Sequence, residues 1–206
     1  MAGLLGMRPW EAMRWAITLL AAVGLVALVV IGLTQAGDKA TSSGPRAETF
    51  DLEDAQRRLE GAPAPLAALH RQANRLLPGG SKAFEARLNE LRGHPVVVNK
   101  WASWCGPCRA ELPILQQIAT AHGREIAFLG VNARDKRPAA ASFAERFPTP
   151  YPSYQDPREK ISRVLDVPAN FPATVFLDDD GKTVFVHQGG YATARDLQAD
   201  IDEHLR

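Results

Sequence analysis

Short apolar runs alternate with helical patterns along the C-terminal part of the chain, from residue 93 to residue 206. The runs predict buried strands at residues 96–98 and 126–132, and further strands at residues 151–155, 173–177 and 183–187. Apolar residues at helical spacing predict helices at residues 105–122, 139–147, 158–165 and 193–205. The dipeptide Asp180-Gly181 between the last two runs is typical of a β-hairpin. The pattern therefore predicts an α/β domain at 93–206, with a mixed central sheet flanked by helices.

Three shorter helical stripes precede this domain, within residues 48–92. The apolar positions that form them are Leu52, Ala55 and Leu59; Leu66, Leu69, Ala73 and Leu76; and Phe84, Leu88 and Leu91. Proline- and glycine-containing stretches at residues 63–65 and 78–80 separate the stripes. Because each stripe must bury its apolar side, we predict a short helical segment that packs on the domain. Docking of a protein partner is the alternative.

A longer apolar run, residues 15–34, contains no charged residue. A helix needs about 20 apolar residues to cross the hydrocarbon core of a bilayer. Arg8 and Arg14 lie before the run, whereas the two charges that follow it, Asp38 and Lys39, cancel. The positive-inside rule then predicts a single-pass transmembrane helix with its N-terminus in the cytoplasm.

This assignment places residues 1–14 in the cytoplasm and the α/β domain outside it. Residues 35–47 are small and polar, which predicts a flexible linker. The alternative is a signal peptide that is cleaved after Ala36, although the apolar region of such peptides is normally about 7–15 residues long. Both interpretations export the domain.

Charge and metal-ligand patterns exclude some classes of function. The formal net charge is +1 and no cluster of lysine and arginine occurs, so nothing favours nucleic acid as a partner. The chain has two cysteines, and its five histidines show no paired spacing. The two cysteines could supply only half of the ligands of a zinc site, which would need a second pair. We therefore predict no metal site and no cofactor.

The two cysteines lie close together, in the motif Cys105-Gly106-Pro107-Cys108. Residues i and i+3 of a helix share a face, so the two sulfur atoms can meet. A purely structural disulfide is disfavoured, because closing so short a loop removes little unfolded-state entropy. The motif predicts a reversible dithiol/disulfide couple.

The predicted helix begins at this motif, and the start of a helix favours a thiolate over a thiol. Gly106 allows close backbone approach, and Pro107 is suited to the first helical turn. We expect Cys105 to attack a substrate disulfide and Cys108, one turn deeper, to resolve the mixed disulfide. Trp104 is expected to shield the site and to contact the substrate, or simply to pack.

Residues 97–113, VVNKWASWCGPCRAELP, resemble the active-site strand and helix of the thioredoxin superfamily. More closely, they are similar to membrane-anchored, extracytoplasmic thiol–disulfide oxidoreductases of the TlpA/ResA type, which include cytochrome c maturation proteins of the CcmG/DsbE type. The resemblance covers about residues 93–206. It implies a thioredoxin-like fold and a redox-active disulfide between Cys105 and Cys108.

The resemblance also implies roles for residues outside the motif. Pro172 falls where the family carries a cis-proline that binds the substrate backbone; an ordinary trans-proline at a strand start is the alternative. Phe171 occupies the preceding substrate-contacting position, where it is bulkier than usual. Glu111 matches an acid that is proposed to assist proton transfer, or else it is simply a carboxylate in the first helical turn, where the helix dipole stabilises negative charge. Asn99 replaces the buried aspartate of cytoplasmic thioredoxins, and an asparagine cannot relay a proton.

The Gly-Pro dipeptide favours a reductase of exported proteins over an oxidase. The resemblance then implies that a membrane electron donor of the CcdA/DsbD kind supplies electrons, and that apocytochrome c is a plausible substrate. An oxidase that donates its disulfide to exported proteins remains an alternative. A scaffold module that uses residues 52–91 as a binding surface is another.

Overall fold

The computed structural model describes residues 50–206, and Phe50–Arg206 form one compact unit. The predicted N-terminus (1–14), span (15–34) and linker (35–47) lie outside the described residues. Among residues 50–206, none of the helices has both the length and the apolar character required to cross a bilayer.

Seven helices and six strands make up the described part of the chain. The helices are α1 (Leu52–Arg58), α2 (Ala64–His70), α3 (Gly80–Glu90), α4 (Gly106–His122), α5 (Arg137–Arg146), α6 (Lys160–Val164) and α7 (Ala194–His204). The strands are β1 (Leu76–Leu77), β2 (Val96–Trp101), β3 (Ala127–Ala133), β4 (Ser153–Asp156), β5 (Ala173–Leu177) and β6 (Thr183–Gln188).

The strands form one mixed sheet in the order β1-β4-β3-β2-β5-β6. Strands β1 to β4 pair in parallel, whereas β5 is antiparallel to both β2 and β6. The hairpin between β5 and β6 closes through the predicted turn, where Gly181 takes a φ of +73°. The predicted thioredoxin-like α/β fold with a mixed sheet is confirmed.

Alternating residues of the central strand β2 contact opposite layers of the core, as the pleat of a strand requires. Val96 and Val98 pack with apolar residues of α2, α3 and α6, among them Leu66, Phe84 and Ile161. Val97 packs on the other side, in a cluster formed mainly by α4, α7 and the neighbouring strands. Helices α2 and α3 of segment 48–92 thus bury apolar residues in the same core as the sheet.

Leu76 lies in a strand and not in a helix, so the predicted stripe that ends at Leu76 is wrong in its last turn. Helix α2 ends at His70. Asn74 then takes a left-handed φ of +59°. Its side chain donates a hydrogen bond to Ala144 O and accepts one from Thr149 N. These contacts turn the chain so that Leu76 aligns with Ser153 of β4. Tertiary hydrogen bonds, which helical spacing does not reveal, therefore determine this strand.

Candidate active site

The two cysteines lie where β2 ends and α4 begins. Cys105 is the N-cap of α4, and its sulfur accepts a hydrogen bond of 3.1 Å from the backbone N–H of Cys108. The structure joins Cys105 and Cys108 in a disulfide. Free N–H groups and the positive end of the helix dipole stabilise negative charge at this position. The site is therefore suited to hold a thiolate at Cys105 when the disulfide is reduced.

Both sulfur-bearing residues are buried in the disulfide form, with Cys105 4% exposed and Cys108 1% exposed. They pack in an apolar cluster with Trp101, Ala102, Leu112, Ala140 and Phe143. Gly106 and Pro107 between them are exposed. A protein substrate can therefore approach the disulfide from the side of the Gly-Pro dipeptide. On its other sides, β2, α4 and α5 enclose the disulfide.

Asp135 fixes the loop that leads from β2 to the cysteines. Its carboxylate accepts hydrogen bonds from Ser103 N at 2.7 Å and from Ser103 Oγ at 3.0 Å. It also accepts bonds from Asn132 Nδ2 and from the backbone N–H of Lys136. Asp135 has no local signal in the sequence, because it lies 32 residues from Ser103 along the chain.

Trp104 presents an apolar surface beside the disulfide, with 57% of the residue exposed. Its indole Nε1 donates to the carbonyl of Arg134 at 3.1 Å. Its ring lies edge-on to the ring of Phe171, with 5.0 Å between the centroids. The structure thus brings together the two aromatic residues that the sequence assigns to substrate contact.

The Phe171-Pro172 peptide bond is cis, as the resemblance implies. A Cβ placed on the neighbouring Gly190 would lie 3.7 Å from Pro172 Cγ and 3.6 Å from Pro107 O. It would also lie 3.6 Å from Glu111 Oε2. Gly190 therefore marks the place where Pro172, the start of α4 and the acid of α4 converge.

Glu111 is buried, 1% exposed, in the second turn of α4. Its carboxylate accepts hydrogen bonds from Asn99 Nδ2 at 2.8 Å and from Tyr191 N at 3.2 Å. Burial raises the pKa of Glu111 to about 7, and the two hydrogen bonds only partly oppose this shift. The interpretation of Glu111 as a first-turn residue that favours the dipole is therefore wrong. It is a buried acid that titrates near neutral pH.

All of the residues that the sequence singles out as candidates lie at the same end of β2. They are Trp104, Cys105, Gly106, Pro107, Cys108, Glu111, Phe171 and Pro172. Within residues 50–206, no group of three or more His, Cys, Asp or Glu side chains is placed to hold a metal ion. The chemistry that these residues can perform by themselves is thiol–disulfide exchange.

The chain is similar in sequence to proteins that exchange thiols and disulfides. Residues 60–201, more than half of the chain, match the family model described as Redoxin. The thiol-disulfide oxidoreductase ResA of Geobacillus kaustophilus is 28% identical over 125 residues, which cover 60% of this chain and 68% of ResA. The thiol:disulfide interchange protein DsbE of Pseudomonas fluorescens is 34% identical over 93 residues, which cover 45% of this chain and 50% of DsbE.

A solved structure has the same fold. The structure of a thiol:disulfide interchange protein DsbE from Chlorobium tepidum superposes with a TM-score of 0.52 at 27% sequence identity. The superposition covers 56% of this chain and 83% of that protein.

Proposed function

The chain belongs to the redoxin family, in the group of TlpA/ResA/DsbE-type thiol–disulfide oxidoreductases, and from this premise we propose that it reduces disulfides of exported proteins. The observation that carries the proposal is the Cys105–Cys108 disulfide at the start of α4, with Trp104, Phe171 and Pro172 beside it.

The reaction has two exchange steps. The Cys105 thiolate attacks one sulfur of the substrate disulfide and forms a mixed disulfide, and the other substrate sulfur leaves as a thiolate that takes up a proton. Cys108 then loses its proton and attacks Cys105 Sγ. This step releases the second substrate thiol and restores the Cys105–Cys108 disulfide. Two electrons pass from the protein to the substrate.

Glu111 is the proposed acceptor of the Cys108 proton. The two residues are three apart in α4 and therefore share a face of the helix. A general base works best when its pKa is close to the operating pH, and the pKa of Glu111 is about 7. Asn99 cannot relay a proton, but its amide donates a hydrogen bond that holds the Glu111 carboxylate in place.

The proposed organisation follows the sequence. Residues 1–14 would lie in the cytoplasm, 15–34 would cross the membrane, and 35–47 would tether the segments 48–92 and 93–206 outside. An exported reductase needs electrons that cross the membrane, so its donor would be a membrane protein of the CcdA/DsbD kind. Apocytochrome c is the substrate that we propose to test first.

The redox state of the cysteines in cells tests the direction of electron flow. If the protein is a reductase, both of its cysteines should be free thiols in cells. After acid quenching, a thiol reagent of high mass should then label both cysteines in most molecules. In glutathione buffers, we expect a potential nearer to that of thioredoxin, about −270 mV, than to that of DsbA, about −120 mV. A protein that is mostly oxidised in cells would be an oxidase, and the reductase proposal would be wrong.

Replacement of Trp104 by alanine should weaken substrate binding without weakening the fold. Loss of about 1 kcal/mol of apolar contact predicts a KM for a protein disulfide that is raised by about fivefold. Stability should change by less than about 0.5 kcal/mol, because Trp104 is largely exposed. Val184→Ala is the matched control, since Val184 is also exposed but lies on β6. An unchanged KM in Trp104→Ala would remove Trp104 from the substrate surface.

A further inference from the structure

Lys100 is a buried cation in the central strand β2, only 2% exposed. Lysine is almost never fully buried unless its charge is paired. Its Nζ donates to Glu159 Oε1 and to the carbonyl of Pro168, each at 2.9 Å. The same ammonium group lies 4.4 Å from the centroid of the Phe171 ring. The reaction proposed above gives Lys100 no role.

The partners of Lys100 belong to segments that are separate in sequence. Glu159 lies in the turn between β4 and α6, where it takes a left-handed φ of +52°. Pro168 and Phe171 belong to the loop 165–172, which joins α6 to β5. One ammonium group therefore connects the rigid central strand to the turn and to this loop.

These contacts form a closed chain of interactions that includes Trp104, which is exposed, and Phe171, which is half-buried. Trp104 donates to Arg134 O, and Arg134 Nε lies 3.9 Å from Glu159 Oε2. Glu159 is bonded to Lys100, Lys100 contacts Phe171, and Phe171 contacts Trp104. The rings of Trp104 and Phe171 are thus linked to each other both directly and through the ion pair of Lys100 and Glu159.

We propose that Lys100 is a positioning residue for substrate binding, which holds the loop 165–172 so that Phe171 and Pro172 are ready to receive the substrate backbone. This inference rests on the proposed function. The ammonium group holds the loop at two points, the carbonyl of Pro168 and the ring face of Phe171, while Glu159 fixes the ammonium group itself. An ordered loop loses less entropy when a substrate binds. Lys100 itself does not take part in the exchange of electrons.

The proposal predicts a difference between large and small substrates. A protein disulfide must dock on Phe171 and Pro172, whereas a small disulfide such as dithiobis-nitrobenzoate needs only to reach Cys105. In Lys100→Met, the insulin concentration that gives half-maximal reduction by pre-reduced protein should rise about tenfold. The maximal rate, and the rate with dithiobis-nitrobenzoate, should stay within about twofold of the unchanged protein. Lys182→Met, an exposed change at the far end of the β5–β6 hairpin, should leave all three values unchanged.

Hydrogen exchange separates loop ordering from general loss of stability. In Lys100→Met, amides of residues 165–172 should exchange at least about tenfold faster, while those of β2 and β3 keep their rates. Glu159→Gln is the second variant, because the Glu159 side chain reaches solvent and tolerates replacement. It should raise the half-saturating insulin concentration by about threefold, because a neutral acceptor holds the ammonium less firmly.

The possible failures can be told apart. If both variants bind insulin as the unchanged protein does, or if the rates with insulin and the small disulfide fall together, Lys100 has no positioning role. If the unchanged protein reduces neither substrate, the proposed function itself fails.

Discussion

A Cys108→Ala variant is expected to accumulate a mixed disulfide through Cys105, and Cys105→Ser is expected to form none. Both variants should lose turnover with protein disulfides by at least about 1000-fold, because each lacks one of the two sulfur atoms that the exchange requires. Cys105 is the attacking residue because it caps α4, where the helix N-terminus stabilises a thiolate. Cys108 is more deeply buried than Cys105, so its thiol should react only with Cys105 Sγ and not directly with a protein substrate.

Non-reducing gels and mass spectrometry of the trapped species provide the measurement. Since the chain has two cysteines, each single variant retains one thiol, and the position of a trapped adduct is unambiguous. The double variant is the control for non-specific adducts. An adduct on Cys108 of the Cys105→Ser protein would reverse the assigned roles. Unchanged function of Cys105→Ser in cells would favour the scaffold alternative instead.

The trapped adduct would also identify the substrate. A mixed disulfide on Cys108→Ala contains the protein that Cys105 attacked, so digestion of the adduct gives the partner peptide. Apocytochrome c peptides would support the proposed substrate, whereas a broad set of exported proteins would favour a general reductase.

The sequence predicts the fold well where a local pattern and the final burial agree. The run at Val96–Val98 is buried on both faces of the sheet, so a continuous apolar segment was enough to locate β2. The Asp-Gly dipeptide located the hairpin, because its geometry is local. Strand β1 was missed because it has two residues, and its place depends on Asn74 and on Ser153 of another strand.

The same distinction applies to the site. The motif around Cys105 and the position of Pro172 could be read from the sequence, since both lie in short segments with few alternatives. Asp135, Lys100 and the burial of Glu111 could not be read, because each depends on partners that are distant along the chain. Charged residues that bind groups distant along the chain have no periodic signal in the sequence.

Asn99 shows how a correct observation can lead to an incomplete conclusion. The sequence shows that the buried aspartate of cytoplasmic thioredoxins is absent at this position, which suggests that a proton path is lost. In the structure, Asn99 instead donates a hydrogen bond to Glu111, a buried acid of α4. The titratable group has a different position in the chain and lies within the cysteine helix α4 itself.

Glu111→Gln is expected to stabilise the protein at pH 8 by about 3 kcal/mol. Burial raises the pKa of Glu111 from 4.5 to about 7, so the folded protein keeps this proton over a range in which the unfolded chain has released it. Stability must therefore fall as pH rises from 4.5 to 7. The stability that the protonated Glu111 side chain contributes is fully present below pH 4.5 and is lost above about pH 7.

Glutamine suits this site because it can keep both hydrogen bonds. Its oxygen can accept from Tyr191 N, and its NH₂ group can donate to Asn99 once the Asn99 amide has flipped. The charge is then the only large change. Denaturant unfolding of both proteins from pH 4.5 to 8 provides the measurement, and Glu85→Gln on the exposed side of α3 is the matched control. Parallel stability curves for Glu111→Gln and the unchanged protein would contradict the raised pKa.

The same variant should be slower in the second exchange step, by about 100-fold, because glutamine cannot accept the Cys108 proton. A mixed disulfide should then accumulate even though Cys108 is present. In the unchanged protein, the rate of this step should rise through about pH 7, and in Glu111→Gln this rise should be absent. A gain in stability together with a loss of rate is what we expect of an ionisable group that is kept for function. A gain in stability with an unchanged rate would make Glu111 a structural residue and would exclude it from the proton transfer.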